Sequence, residues 1–136
     1  MELQLHAAVT WFLAGLIWVI QLVHYPMLQF LDRAGFQRGH AFHTTAISFL
    51  VGPAMLLELA IAVWIAWRRG PSQWPSSAGL ALVALIWGVT FLVMVPLHER
   101  LQNGGFEQDT HAALCRWNWV RTAAWTARGL IALVWL

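Results

Sequence analysis

The chain has 136 residues, 60% of them hydrophobic and only 10% charged. That is one domain by length, and too little charge to solubilise a globular surface, which carries about 25% charged residues. The formal charge of +2 comes from eight arginines with no lysine, which excludes a Schiff-base retinal protein and a Walker-type phosphate loop; no basic block or aromatic-basic groove points to nucleic acid.

Four stretches are long and apolar enough to cross a bilayer, each near the 20 residues a spanning helix needs. The first covers about 5–31 and begins without the positive segment of a signal peptide, so it reads as a retained helix. A short polar loop, 32–39, leads to a second span at about 42–67. The run RRGPSQWP at 68–75 breaks the helix, and a third span follows at about 77–97. The longest loop, 98–111, holds Gly104 and Gly105 and leads to a fourth span at about 112–136. The expectation is an all-α integral membrane four-helix bundle, a single transmembrane domain over residues 1–136 with both termini on the same side. Trp67, Trp74, Trp117 and Trp119 stand near span ends as an interfacial belt. Arg33, Arg38, Arg100 and Arg116 outnumber Arg68 and Arg69, which leans toward cytoplasmic first and third loops in a bacterial inner (cytoplasmic) membrane.

The chain resembles itself. LIWVIQLVHYPMLQFLDRAGFQRGH at 16–40 aligns with LIWGVTFLVMVPLHERLQNGGFEQDTH at 85–111: each opens on LIW, reaches a proline, passes Gly-Phe and ends in histidine. ELAIAVW at 58–64 then faces GLIALVW at 129–135. Such a period predicts two tandem helical hairpins (repeat 1 about 5–67, repeat 2 about 77–136) in a parallel pseudo-twofold repeat. Pro26 and Pro96 become equivalent helix-bending positions, and His40 and His111 should face each other across the axis.

Polar residues in such helices face the bundle interior, because lipid cannot satisfy them. Gln21 with His24, His40 with His43, and Met94 with His98 share helix faces by spacing. On the fourth span His111, Leu114, Asn118, Arg121, Trp125 and Arg128 follow a 3-4-3-4-3 rhythm, a seam pointing inward. Glu58 lies 18 residues beyond His40 and Arg128 lies 17 beyond His111, so the two should meet as a buried ion pair roughly 26 Å below the histidines at 1.5 Å per residue.

Five of the six histidines (His24, His40, His43, His98 and His111) fall toward one end of the bundle, and only His6 lies at the other. Imidazole is the commonest metal-binding side chain, so these five are candidate ligands for a transition metal (Fe, Cu or Zn) or a haem. Glu99, Glu107 and Asp109 are candidates to complete the shell. Asn118 and Arg121 are candidates to hold an acidic group of a cofactor or substrate. Cys115, the only cysteine, excludes a disulfide framework, a CxxC pair and a thiolate zinc cage within one chain.

The LIW…HYP start, the histidine-bearing second helix and NWVRTAAWTARG resemble a group of small bacterial four-helix membrane proteins, which implies the fold and no particular activity. WFLAGLIWVIQLVHYP, the first helix alone, is similar to that of the HemJ-type protoporphyrinogen oxidases and implies a haem. The functional expectation is a His-rich pocket at one membrane face, binding a metal or haem for redox chemistry on a lipophilic small molecule drawn from the bilayer. A non-enzymatic accessory subunit of a larger membrane complex and a small transporter, working as a homodimer, are the alternatives.

Overall fold

A computed structural model describes residues 1–70 and 72–134. Among them there is no strand. Four helices make up nearly all of the chain: α1 (Glu2–Phe30), α2 (Phe36–Arg69), α3 (Trp74–Gly104) and α4 (Gln108–Leu133). They pack as a ring in which each helix touches its two sequence neighbours, with α4 closing back onto α1. The architecture is that of an all-α helical membrane bundle. α1, α2 and α3 are each long and apolar enough to cross a membrane. The fourth expected span is a 26-residue helix that does not reach the same mark, because its inward seam is polar.

That seam is buried throughout: His111, Leu114, Asn118, Arg121, Trp125 and Arg128 all lie within the bundle. The lipid-facing residues are the large exposed apolar ones, among them Phe49, Leu56, Trp67 and Leu92. Hydrophobicity therefore points outward as much as inward, as a bilayer solvent allows.

α1 and α3 are not uniform. Each widens into a five-residue π-helical segment, Ile20–His24 in α1 and Thr90–Met94 in α3. Each segment ends two residues before a proline, Pro26 or Pro96. Proline has no N–H to offer and its ring presses on the carbonyl four residues earlier; that residue is Leu22 or Leu92, inside the widened turn in both cases. An i→i+5 pattern lets the helix continue past the obstruction. The same device at the same offset in both halves supports the duplication read from the sequence. Phe36 and Phe106, the two Gly-Phe phenylalanines, touch, with ring centroids 5.5 Å apart.

Two boundaries shift. α2 begins at Phe36, so His40 stands a full turn inside it. The expected long loop 98–111 is mostly helix: α3 runs on through His98 to Gly104, anchored by the buried Leu101. A polar run therefore continues the helix at the end of the bundle, and Gln102 falls one turn beyond His98 on the same face.

Candidate active site at the histidine end

A cavity of about 580 Å³ lies between α2 and α3. It exists because α2 presents Thr44, Ser48 and Gly52, three small residues one turn apart, toward α3. The two hydroxyls are turned back onto their own helix: Thr44 Oγ1 donates to the His40 carbonyl at 3.1 Å and Ser48 Oγ to the Thr44 carbonyl at 2.6 Å. A Cβ at Gly52 would meet nothing within 4 Å. The remaining wall is mostly apolar, with Ile47, Met55, Phe91 and Met94 prominent, and the polar lining includes His40, His43, His98, Gln102, Tyr25 and Arg121.

The polar groups form one connected network. The Arg121 guanidinium lies beside the Tyr25 hydroxyl. The Tyr25 hydroxyl meets His98 Nε2 at 3.0 Å, His98 Nδ1 meets His40 Nε2 at 2.9 Å, and His40 Nδ1 meets Gln102 Oε1 at 2.8 Å. Gln102 Nε2 then donates to the Gln37 carbonyl at 3.3 Å. A second branch leaves the same arginine: Arg121 Nη1 donates to Asn118 Oδ1 at 3.1 Å, Asn118 Nδ2 to Gln21 Oε1 at 2.8 Å, and Gln21 Nε2 to the Cys115 carbonyl at 3.3 Å.

Along the branch through Asn118 and Gln21 the donors point away from Arg121. A buried cation in a membrane needs compensation, and Arg121 forms no ion pair among the described residues. Aligned hydrogen-bond dipoles, which polarise one another cooperatively, spread its charge instead. Its Nε is buried without a hydrogen-bond partner among the described residues, as is the indole Nε1 of Trp87. Both residues line the cavity.

The five candidate histidines thus take different places. His40 and His98 are bonded to each other. His43 lines the cavity wall, its ring 5.2 Å from His24 and 6.4 Å from His98 by centroids. His24 and His43 also line a second apolar cavity of about 390 Å³ between α1 and α2. His111 stands apart: its Nε2 donates to the Tyr25 carbonyl at 2.7 Å and its ring packs on Phe106. It does not face His40 across the axis as expected, because the two Gly-Phe phenylalanines occupy that space. Gln21 and His24 also part company, Gln21 turning to Asn118 and His24 to His43. The π turn between them rotates one against the other.

A metal would have to compete with this network. Both ring nitrogens of His40 and of His98 are already used in hydrogen bonds, and among the described residues no group of three or more His, Cys, Asp or Glu side chains converges as a metal site. Glu99 lines the cavity; Glu107 is exposed and accepts from the Thr110 hydroxyl, and Asp109 is exposed.

Glu58 and Arg128 pair at the other end of the bundle. Arg128 Nε donates to Glu58 Oε1, both side chains are almost wholly buried, and Arg128 Nη2 also donates to His6 Nε2 at 2.8 Å. Tyr25, Gln102 and Trp87 were not among the sequence candidates. Tyr25 is the only tyrosine of the chain, a signal that could have marked it; Gln102 was hidden by the loop expected there.

No curated protein and no solved structure shows significant similarity to this chain. A family model for anthrone oxygenases matches residues 36–131. The comparisons do not show the likeness of the first helix to HemJ-type oxidases; that helix lies outside the matched stretch, whereas most of the cavity wall lies within it. The match covers well over half of the sequence, and the chain belongs to the anthrone oxygenase family.

Proposed function

We propose that the protein is a membrane-embedded oxygenase that converts an anthrone-type polycyclic aromatic ketone to the corresponding quinone with dioxygen. The observation that carries this reading is the cavity itself: a mostly apolar space with an acid-base network among its polar walls. Its size falls within the roughly 300–1,000 Å³ range of small-molecule sites. Its apolar lining suits a flat hydrocarbon framework, and the gap between α2 and α3 suits entry of a lipophilic compound from the bilayer.

An anthrone carries a CH₂ group flanked by two aromatic rings, opposite a ketone. Removing one of its protons gives an enolate whose negative charge rests on the ketone oxygen. The Arg121 guanidinium, with its unpartnered Nε, is suited to that oxygen as an electrostatic stabiliser aimed at developing charge. Tyr25 and His98 suit the proton: the substrate proton passes to the Tyr25 oxygen as the Tyr25 proton passes to His98 Nε2, across a 3.0 Å contact. General acid-base groups of this kind contribute about 10²–10⁴-fold to rate. The electron-rich carbon then reduces dioxygen and forms a C–O bond, giving a hydroperoxide after protonation. Loss of the second carbon-bound proton, cleavage of the O–O bond and departure of water leave C=O. The balance is one CH₂ and one O₂ to one C=O and one H₂O. Trp87, about 16 Å from His98 along α3 at 1.5 Å per residue, offers its indole N–H to a distal hydroxyl or carbonyl of an extended ring system.

The test is anthrone supplied in detergent to the purified protein, with quinone absorbance and oxygen uptake followed together. Equal molar consumption of O₂ and formation of quinone, lost in Tyr25→Phe and in His98→Phe, supports the reading. Wild-type protein giving only the background rate of anthrone autoxidation rejects it.

The proximity of two histidine pairs, His24 with His43 at 5.2 Å and His40 with His98 at 5.1 Å between ring centroids, favours a second reading, a transition-metal or haem centre in the same place. It requires the His40–His98 bond to open, so that a nitrogen of each becomes a ligand. Near-stoichiometric Fe, Cu or Zn on the purified protein, or a Soret band, lost in His98→Phe, would replace the acid-base reading with this one.

A further inference from the structure

We infer that Gln102 is a positioning residue that fixes the tautomers of both His40 and His98, so that the nitrogen facing Tyr25 is the unprotonated one. The inference rests on the reading of Tyr25 and His98 as the proton acceptor, and it concerns what makes His98 able to serve.

Which end of a glutamine is oxygen follows from its partners. Gln102 Nε2 donates to the Gln37 carbonyl at 3.3 Å, while Gln37 Nε2 donates to the Gln102 carbonyl at 3.0 Å. Reversing the Gln102 amide would set its oxygen against a carbonyl oxygen. Its Oε1 therefore faces His40 Nδ1, 2.8 Å away, and an amide oxygen only accepts. His40 must carry its proton on Nδ1. In a neutral ring the other nitrogen is then an acceptor, so His98 donates from Nδ1 across the 2.9 Å contact. That leaves His98 Nε2 with a free lone pair aimed at the Tyr25 hydroxyl. No other arrangement of neutral rings satisfies all three contacts.

His40 is buried and Gln102 half-buried. A carboxylate in the place of Gln102 would fix the same tautomers with a charge; the amide does so without placing an anion near a site that must hold an enolate. Stacking of His40 on Phe36, at 5.5 Å and 18° between planes, holds the ring in the orientation that the relay needs.

The test reads protonation sites directly. Imidazole ¹⁵N resonances of the full-length protein in detergent report which nitrogen carries hydrogen, whether or not the protein turns over. The expected wild-type result is Nδ1–H for both His40 and His98, with His111 as an internal contrast carrying Nε2–H toward the Tyr25 carbonyl. Gln102→Leu should move the His40 proton to Nε2 and lower kcat for anthrone roughly 10²–10⁴-fold, the scale of a wrong tautomer at an acid-base pair, with little change in KM. Gln102→Glu, which can also accept from Nδ1, should restore both tautomers. Nε2–H on His40 or His98 in the wild type, or unchanged tautomers in Gln102→Leu, would overturn the inference even if the wild type oxidises anthrone. The expected tautomers in a protein with no anthrone turnover would leave it standing while removing the proposed function.

Discussion

The two ends of the bundle each gather one residue from every helix around an arginine of α4, and they do opposite things with it. At one end His6, Glu58 and Gly79 surround Arg128. The carboxylate contacts the guanidinium directly, and the cavity beside them is only about 10 Å³. At the other end Tyr25, His40 and His98 connect to Arg121, which has dipoles in place of a carboxylate and a cavity of about 580 Å³ beside it. A cation paired with an anion in a filled space is a staple. A cation held by aligned neutral groups beside an open space keeps its field for an incoming anion. On the proposed function, the first end serves stability and the second serves chemistry.

Substitutions at the two ends should therefore separate cleanly. The largest effect on turnover is expected from His98→Phe, about 10²–10⁴-fold in the rate of anthrone oxidation, with the thermal midpoint changed little. Glu58→Ala should do the reverse. Removing one partner of a buried pair costs about 3–5 kcal/mol, which should appear as a large fall in thermal midpoint in detergent, while the protein that remains folded keeps its turnover. A smaller effect is expected where the cavity is filled without touching the network. Gly52→Leu places a side chain where a Cβ meets nothing within 4 Å, and should raise KM for anthrone while leaving the melting profile near that of the wild type. Gly79→Ala is the milder probe of the staple: its Cβ would stand 2.6 Å from Arg128 Nη1, and overpacking of this sort costs about 1–3 kcal/mol. If Gly79→Ala or Glu58→Ala abolished turnover in folded protein, the division between the ends would fail.

Much of this was legible in the sequence because it rests on periodicity. The 3-4 rhythm of α4 marks the face that is buried, and counting from His40 and His111 set Glu58 and Arg128 at one depth. The prolines at 26 and 96 flagged a bend, though not its form. What escaped depended on details that composition hides. The π turn at Ile20–His24 rotates Tyr25 relative to a regular helix, so its role could not be read from i, i+4 spacing. The run His98–Gly104 is polar enough to pass for a loop, which concealed Gln102. Whether clustered histidines bind a metal or one another depends on separations of about 3 Å, which spacing along a helix does not specify.

The account turns most directly on oxygen stoichiometry in wild-type protein compared with Tyr25→Phe. Both should melt alike, since the Tyr25 ring remains in place and only its hydroxyl is lost. The account predicts that wild-type protein consumes one O₂ for each quinone formed from anthrone, and that Tyr25→Phe falls to near the background of autoxidation. Equal rates in the two proteins would show that the Tyr25–His98 pair does not take the proton, and would contradict the central claim.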